Sequence, residues 1–375
     1  MNKIKLSNPV RLIAFFLTAL VLLCTFGFGV DGWLINEEEQ NIPNDGESAN
    51  DPDNNVGDNT EQDNEDKGEN EPEVTIPEYF NPITGLETNS QGALVAHLGL
   101  VLNPELPFYG ISSADLVCDV PTEDGGVRTV AFVQSVDNLW KIGSITKTRG
   151  YISNIIKYFG GISINSGNDD SIYYTQCDMS AQSLDISLNT GHHYTEYTSN
   201  VYTNPSMLES SLNDGGINRN SLSSPVLPYE FIEYGADEVV FSDTYANKIY
   251  FEQSVKSVVE IVYDHDSGVY SLVRNGVTVA DQMNGNTPEY KNCFILFADS
   301  VTYDNKECNQ MIMETIGSGS GYYLTNGGYC RISWVGRGDG TLLFTTEDGI
   351  TLTVNRGTSY ISFLRSSRIG DVKFE

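Results

Sequence analysis

The stretch from Glu37 to Glu78 constrains this chain more than any other. It holds sixteen acidic residues and one lysine among Asn, Gly and Pro, with almost no apolar side chain. Such a segment cannot bury enough surface to offset the entropy of ordering it, so a disordered stalk is expected. At about 5–6 Å times the square root of its length it reaches roughly 35–40 Å, and further through charge repulsion. A folded body must therefore follow it, and anything that holds it must precede it.

On the N-terminal side, Lys3, Lys5 and Arg11 lead into Leu12–Val30, nineteen residues without a charge. A basic flank before an apolar run reads as an export segment with everything after Asp31 outside the membrane. Nineteen residues at about 1.5 Å each give roughly 28 Å, enough to cross a hydrocarbon core and longer than the usual cleavable signal core. A retained anchor is the expectation. Cys24 is the alternative as a lipid-attachment residue, although Leu23 stands where a small residue is normally required. The sequence thus divides into an anchor or signal (1–34), an acidic stalk (35–78), a mixed segment (79–246) and a β-rich segment (247–375).

In the mixed segment, residues 94–102 carry strand alternation, and Leu116–Val120 and Val127–Gln134 flank an Asp124-Gly125-Gly126 hairpin turn. Ile152, Ile155, Ile156 and Phe159 recur with helical spacing before Gly160-Gly161, and Asn204-Pro205 opens a second helix that Gly215 closes. Beyond Asn247 short β runs alternate with Gly, Asn and Asp turns. The fold class expected is α+β: a mixed α/β domain on a sheet, then a mostly antiparallel β domain that forms its own unit.

The net charge of −30 disfavours nucleic acid as a partner, because phosphate binding depends on Lys and Arg. Ser144-Ile145-Thr146-Lys147 matches the Ser-x-x-Lys of penicillin-recognising acyltransferases, where one helical turn brings the amine to the hydroxyl. Ser163-Ile164-Asn165 supplies a Ser-x-Asn, but no Lys-Thr-Gly follows. Gly317-Ser318-Gly319-Ser320-Gly321 precedes a strand and reads as a hairpin or corner turn rather than a phosphate cradle. Asp264-His265-Asp266 lacks the bidentate Glu of a calcium loop, Asn275 standing in its place. Adjacent His192 and His193 would point to opposite faces of a strand, and no Cys-x-x-Cys or His-Glu-x-x-His occurs, so no metal site and no cofactor is expected. The cysteines beyond the anchor are Cys118, Cys177, Cys293, Cys308 and Cys330, an odd number that leaves at least one thiol in an unbridged chain.

Several boxes occur in an order that resembles the YerB-like lipoprotein family of Gram-positive bacteria. Asn81-Pro82-Ile83-Thr84-Gly85-Leu86 resembles its opening box, Ser113–Val117 with Glu123–Arg128 the next, Ile142–Arg149 a third, and Asn200-Val201-Tyr202-Thr203 a later one. Tyr263-Asp264, Arg274-Asn275-Gly276, Asp281 and Trp334 follow its C-terminal domain. Thr146 replaces an Arg of the third box and Ser199 replaces a His before the fourth. The resemblance implies a two-part, extracytoplasmic protein of unknown function. The polar group singled out is Glu123, Asp124, Arg128, Lys147, Arg149 and Asn200, because a guanidinium reads carboxylate or phosphate bidentately. The two alternatives for it are an anion site and an internal ion-pair network. The function expected is a membrane-anchored binding or scaffold protein with a protein or cell-wall partner, the alternative being an envelope enzyme acting on wall polymers.

Overall fold

The computed structural model describes residues 75–375 apart from 90, 91, 93, 94, 168–181, 197–199, 222–224, 306 and 307. The anchor, nearly all of the stalk and Cys177 lie outside the described residues. Among the described residues, no helix is long and apolar enough to cross a membrane.

In chain order the mixed segment supplies β1 (Leu98–Leu102), β2 (Leu116–Pro121), β3 (Val127–Val133), β4 (Ile142–Ile145), α1 (Gly150–Tyr158), β5 (Ile162–Asn165), β6 (Ser183–Asp185), β7 (Tyr194–Glu196), β8 (Asn200–Thr203), α2 (Pro205–Asp214) and β9 (Glu230–Phe231). The β-rich segment supplies β10 (Lys248–Ser254), β11 (Ser257–Asp264), β12 (Val269–Arg274), β13 (Val277–Thr278), β14 (Asn292–Ala298), β15 (Ser300–Asn305), β16 (Cys308–Met313), β17 (Gly317–Thr325), β18 (Gly328–Gly336), β19 (Leu342–Thr346), β20 (Thr353–Val354), β21 (Ser359–Arg365) and β22 (Lys373–Phe374). This is the α+β order expected from the sequence.

Both segments build one 13-stranded sheet, with β19-β18-β17-β14-β21-β2-β3-β1-β4-β8-β7 as its main path. The junction is the parallel pairing of β2 with β21, Leu116 opposite Ser359 through Asp119 opposite Ser362. A second, five-stranded sheet runs β13-β12-β11-β10-β22. One core cluster joins Leu98, Leu100 and Ala131 to Ile249, Ile261 and Leu272; the other joins Val101, Val130 and Ile155 to Phe294, Ile332 and Trp334. Residues from both sides of the 246/247 boundary therefore fill both cores. Sitting between two layers, β1 and β2 are buried on both faces, which is why β1 carries apolar residues at both parities.

Local chemistry sets the elements. Asn204 caps α2, its side chain accepting from the Met207 amide at 3.0 Å, with Pro205 in the first turn. Asn275 and Gly276 adopt φ values of 52° and 78°, as a two-residue hairpin turn of the mirror-image type requires. The Gly317–Gly321 run corrects the expected turn, for it lies inside β17 between β14 and β18. A Cβ on Gly319 would sit 2.2 Å from the Phe297 carbonyl oxygen and 2.6 Å from Trp334 Nε1. The glycines are there so that Trp334, 1 % exposed, can lie across the strand and donate to the Phe297 carbonyl at 3.0 Å.

Candidate functional site

The singled-out polar residues lie around β3, β4 and β8 of the large sheet. Arg128 faces Val120 across the hairpin, Leu102 bridges Thr129 and Ile145, and Ile145 faces Val201, so Arg128 falls one row to one side of that row and Thr146 and Asn200 one row to the other. Their side chains are largely engaged by the protein itself. Arg149 donates through Nε to Glu123 Oε1 at 3.0 Å and through Nη2 to the same carboxylate, a side-on pair with both side chains mostly buried. Arg149 Nη1 donates to the Thr148 carbonyl at 3.0 Å. Asp124 accepts from the Thr122 hydroxyl at 2.6 Å and the Gly126 amide at 3.0 Å, which closes the turn. Burial works to raise the Asp124 carboxyl, but these two donors and the charges of Arg128 and Lys256 outweigh it and hold it below the usual carboxylate value. Arg128 donates to the Val127 carbonyl at 3.1 Å, Lys147 is exposed, and Asn200 opens β8.

The Ser-x-x-Lys alternative lacks its geometry. Ser144 is in the extended strand β4 with 1 % exposure, and helix begins only at Gly150. No helical turn brings Lys147 back to the Ser144 hydroxyl. Cys118 and Cys293 are free and buried, and burial pushes both thiols well up; Cys330 is free, partly exposed and pushed up to about 11 by burial and then by Glu347. His97 bonds Asp115 through Nε2 at 2.7 Å, and Asn81 donates to the same carboxylate oxygen at 3.0 Å.

Three polar assemblies escaped the sequence reading. First, Asp119 on β2, fully buried, accepts from the Thr129 hydroxyl at 2.5 Å, the Tyr360 hydroxyl at 2.7 Å and Arg274 Nη2. It ties β3, β21 and β12 together. Second, Lys141 Nζ lies 4.1 Å from the Tyr109 ring centroid and 3.9 Å from that of Tyr202, and 2.8 Å from Glu196 Oε2. Third, Arg356 stands 4.7 Å from the Phe80 ring centroid and donates to the carbonyls of Gly85 at 2.6 Å and Ile232 at 3.1 Å. That clamp fixes the Asn81–Leu86 box against the segment of Ile232. In the box, Asn81 Oδ1 accepts from the Ile83 amide, and Gly85 at φ +66° admits the Phe231 ring 2.8 Å from where a Cβ would be. Aromatic residues far apart in sequence gave no local signal for any of these.

Two clefts open on the surface. The larger, about 1060 Å³, lies between α2 and the loop after β3. Leu98, Leu208 and Leu212 are among its apolar residues, and amides and hydroxyls such as Thr88, Gln134, Asn218 and Asn220 line it as well. Its guanidinium, Arg219, donates to the Ala96 carbonyl at 3.0 Å through Nε and to the Gln134 carbonyl through Nη2. The smaller, about 690 Å³, lies where the segment 240–244 runs beside β18.

Comparison with known proteins agrees with this architecture. Two family descriptions match, "Protein of unknown function (DUF3048) N-terminal domain" over residues 102–218 and "Protein of unknown function (DUF3048) C-terminal domain" over residues 248–361. The chain belongs to this YerB-like family of paired domains. Among solved structures it is similar to the crystal structure of the YerB protein from Bacillus subtilis, at 19% identity and a TM-score of 0.67, over 79% of this chain and 99% of that one. At that identity the likeness is one of fold. The search of curated proteins found no match.

Two substitutions test these assignments. Arg149→Ala leaves Glu123 partly buried without its cation, so a loss of about 1–3 kcal/mol is expected, with Arg149→Lys recovering part of it. A melting temperature unchanged by Arg149→Ala would contradict the ion-pair reading. For Lys141, burial works against the charge, but the hydrogen bond to Glu196 and the neighbouring tyrosines outweigh it and raise its pKa. A folded value above the unfolded one means the contribution is complete below about pH 9 and is lost as pH climbs through the raised value. The difference in melting temperature between the native chain and Lys141→Met should stay constant from about pH 6 to 9 and shrink above about 10.5. A difference that widens with pH would have the wrong sign.

Proposed function

We propose that this protein is a membrane-tethered, extracytoplasmic binding protein whose stalk presents the folded body to a protein or wall component of the envelope. The larger cleft carries the reading. Its volume, about 1060 Å³, suits a ligand of substantial size, and apolar side chains bordered by amides and hydroxyls are the mixture that binding clefts use. Amides both donate and accept, Arg219 is already bonded to two carbonyls, and the carboxylates of Asp137 and Glu209 share the lining, so the cleft favours a polar ligand without negative charge. The uncharged run 12–30 and the acidic stretch 37–78 support the tether by their composition.

The test places a photo-crosslinking residue at Ser206, on the cleft rim, or at Ile350, an exposed position outside the cleft, in the full chain expressed in cells. The reading expects the protein in the membrane fraction, its body removable by protease added from outside, and a discrete crosslinked product from position 206 alone. A body protected from external protease, or identical products from both positions, would contradict it.

A further inference from the structure

We infer that the smaller cleft is a second binding site, for an uncharged oligosaccharide. Three rings meet there: Tyr329 stacks on Phe374 with centroids 4.0 Å apart, and Tyr322 meets Phe374 edge-on at 4.9 Å and Tyr329 at 6.1 Å. All three are half-buried and line a space of about 690 Å³. Asp243, Arg331 and Glu347, all exposed, share that lining. Elsewhere on the body Arg149, Arg274, Lys291 and Arg368 are each joined to a carboxylate. The three charged groups of this cleft make no ion pair among the described residues, and Asp243 accepts only from the Ser242 hydroxyl at 3.2 Å, so planar hydrogen-bonding groups of both signs lie unpaired with opposite charge around an aromatic surface.

That combination selects by exclusion. An acyl chain would lie against Asp243, Arg331 and Glu347 and could satisfy none of them. A nucleotide or an anionic wall polymer would bring phosphate to a lining with two carboxylates against one guanidinium, on a body whose residues 79–375 carry 34 acidic and 17 basic side chains. A sugar ring offers an apolar C–H face to an aromatic side chain, while its neighbouring hydroxyls donate to a carboxylate and accept from a guanidinium. No charge has to be neutralised. The inference rests on the extracytoplasmic reading only in that envelope glycans are then within reach; the cleft chemistry stands without it.

Cys330 provides a reporter. It lines the same cleft, is free and partly exposed, and its thiol, pushed up to about 11, alkylates at a rate set by access at a fixed alkaline pH. In the full chain in detergent, the rate of iodoacetamide labelling at Cys330 would be read by peptide mass spectrometry with tetra-N-acetylchitotetraose or with cellotetraose at millimolar concentration. At least one of the two is expected to slow labelling threefold or more. Arg331→Ala and Glu347→Gln, both exposed positions, should each label at the same rate with and without sugar, each variant being its own reference because Glu347 also acts on the Cys330 thiol, and should leave the melting temperature unmoved. Full-rate labelling with both sugars would overturn the inference, as would protection that survives both substitutions. Either failure leaves the Ser206 crosslink unaffected, so the two readings fail separately.

Discussion

The structure depends on a parallel strand pair that joins distant parts of the chain. β2 and β21 lie side by side at the centre of the large sheet, and Asp119 on β2 is held by Thr129 from β3, Tyr360 from β21 and Arg274 from β12. Burial works against the charge of Arg274, yet Asp119 outweighs it and raises the guanidinium above its ordinary value. Removing one partner would strand a buried charge, so the pair makes the match between the two segments strict even where its net contribution is small. The aliphatic residues of β1, β3 and β14 then have two faces to cover, and the second sheet and α1 cover them.

This arrangement explains what could be read from sequence and what could not. Elements fixed by near neighbours were legible: the helix capped by Asn204 and Pro205, the Asp124-Gly125-Gly126 turn and the Asn275-Gly276 turn each carry their signal within a few residues. The β17 glycines were misread because their reason, the ring of Trp334, lies across a neighbouring strand. The 246/247 boundary follows a real change from helix-containing to β-rich sequence, yet the sheet crosses it, since strand pairing at such separation leaves no trace in composition.

The candidate residues show the same limit. Glu123 and Arg149 were legible as a group with two alternatives, and the geometry supplies the ion pair. Lys141 in its aromatic surround and Arg356 over Phe80 were not legible, because each joins residues from three or more separate segments. The cations Arg149, Arg274, Lys291 and Arg368 are each tied to a carboxylate, whereas the two clefts mix apolar and polar side chains with carboxylates of their own.

Amide hydrogen exchange resolved by strand tests the central claim, that the two family segments form one cooperative unit across β2 and β21. The account predicts that slow amides in β2, β3, β14 and β21 open with a common free energy, and that Asp119→Asn lowers all four by the same amount. Protection kept in β14 and β21 while β2 and β3 lose theirs would contradict it.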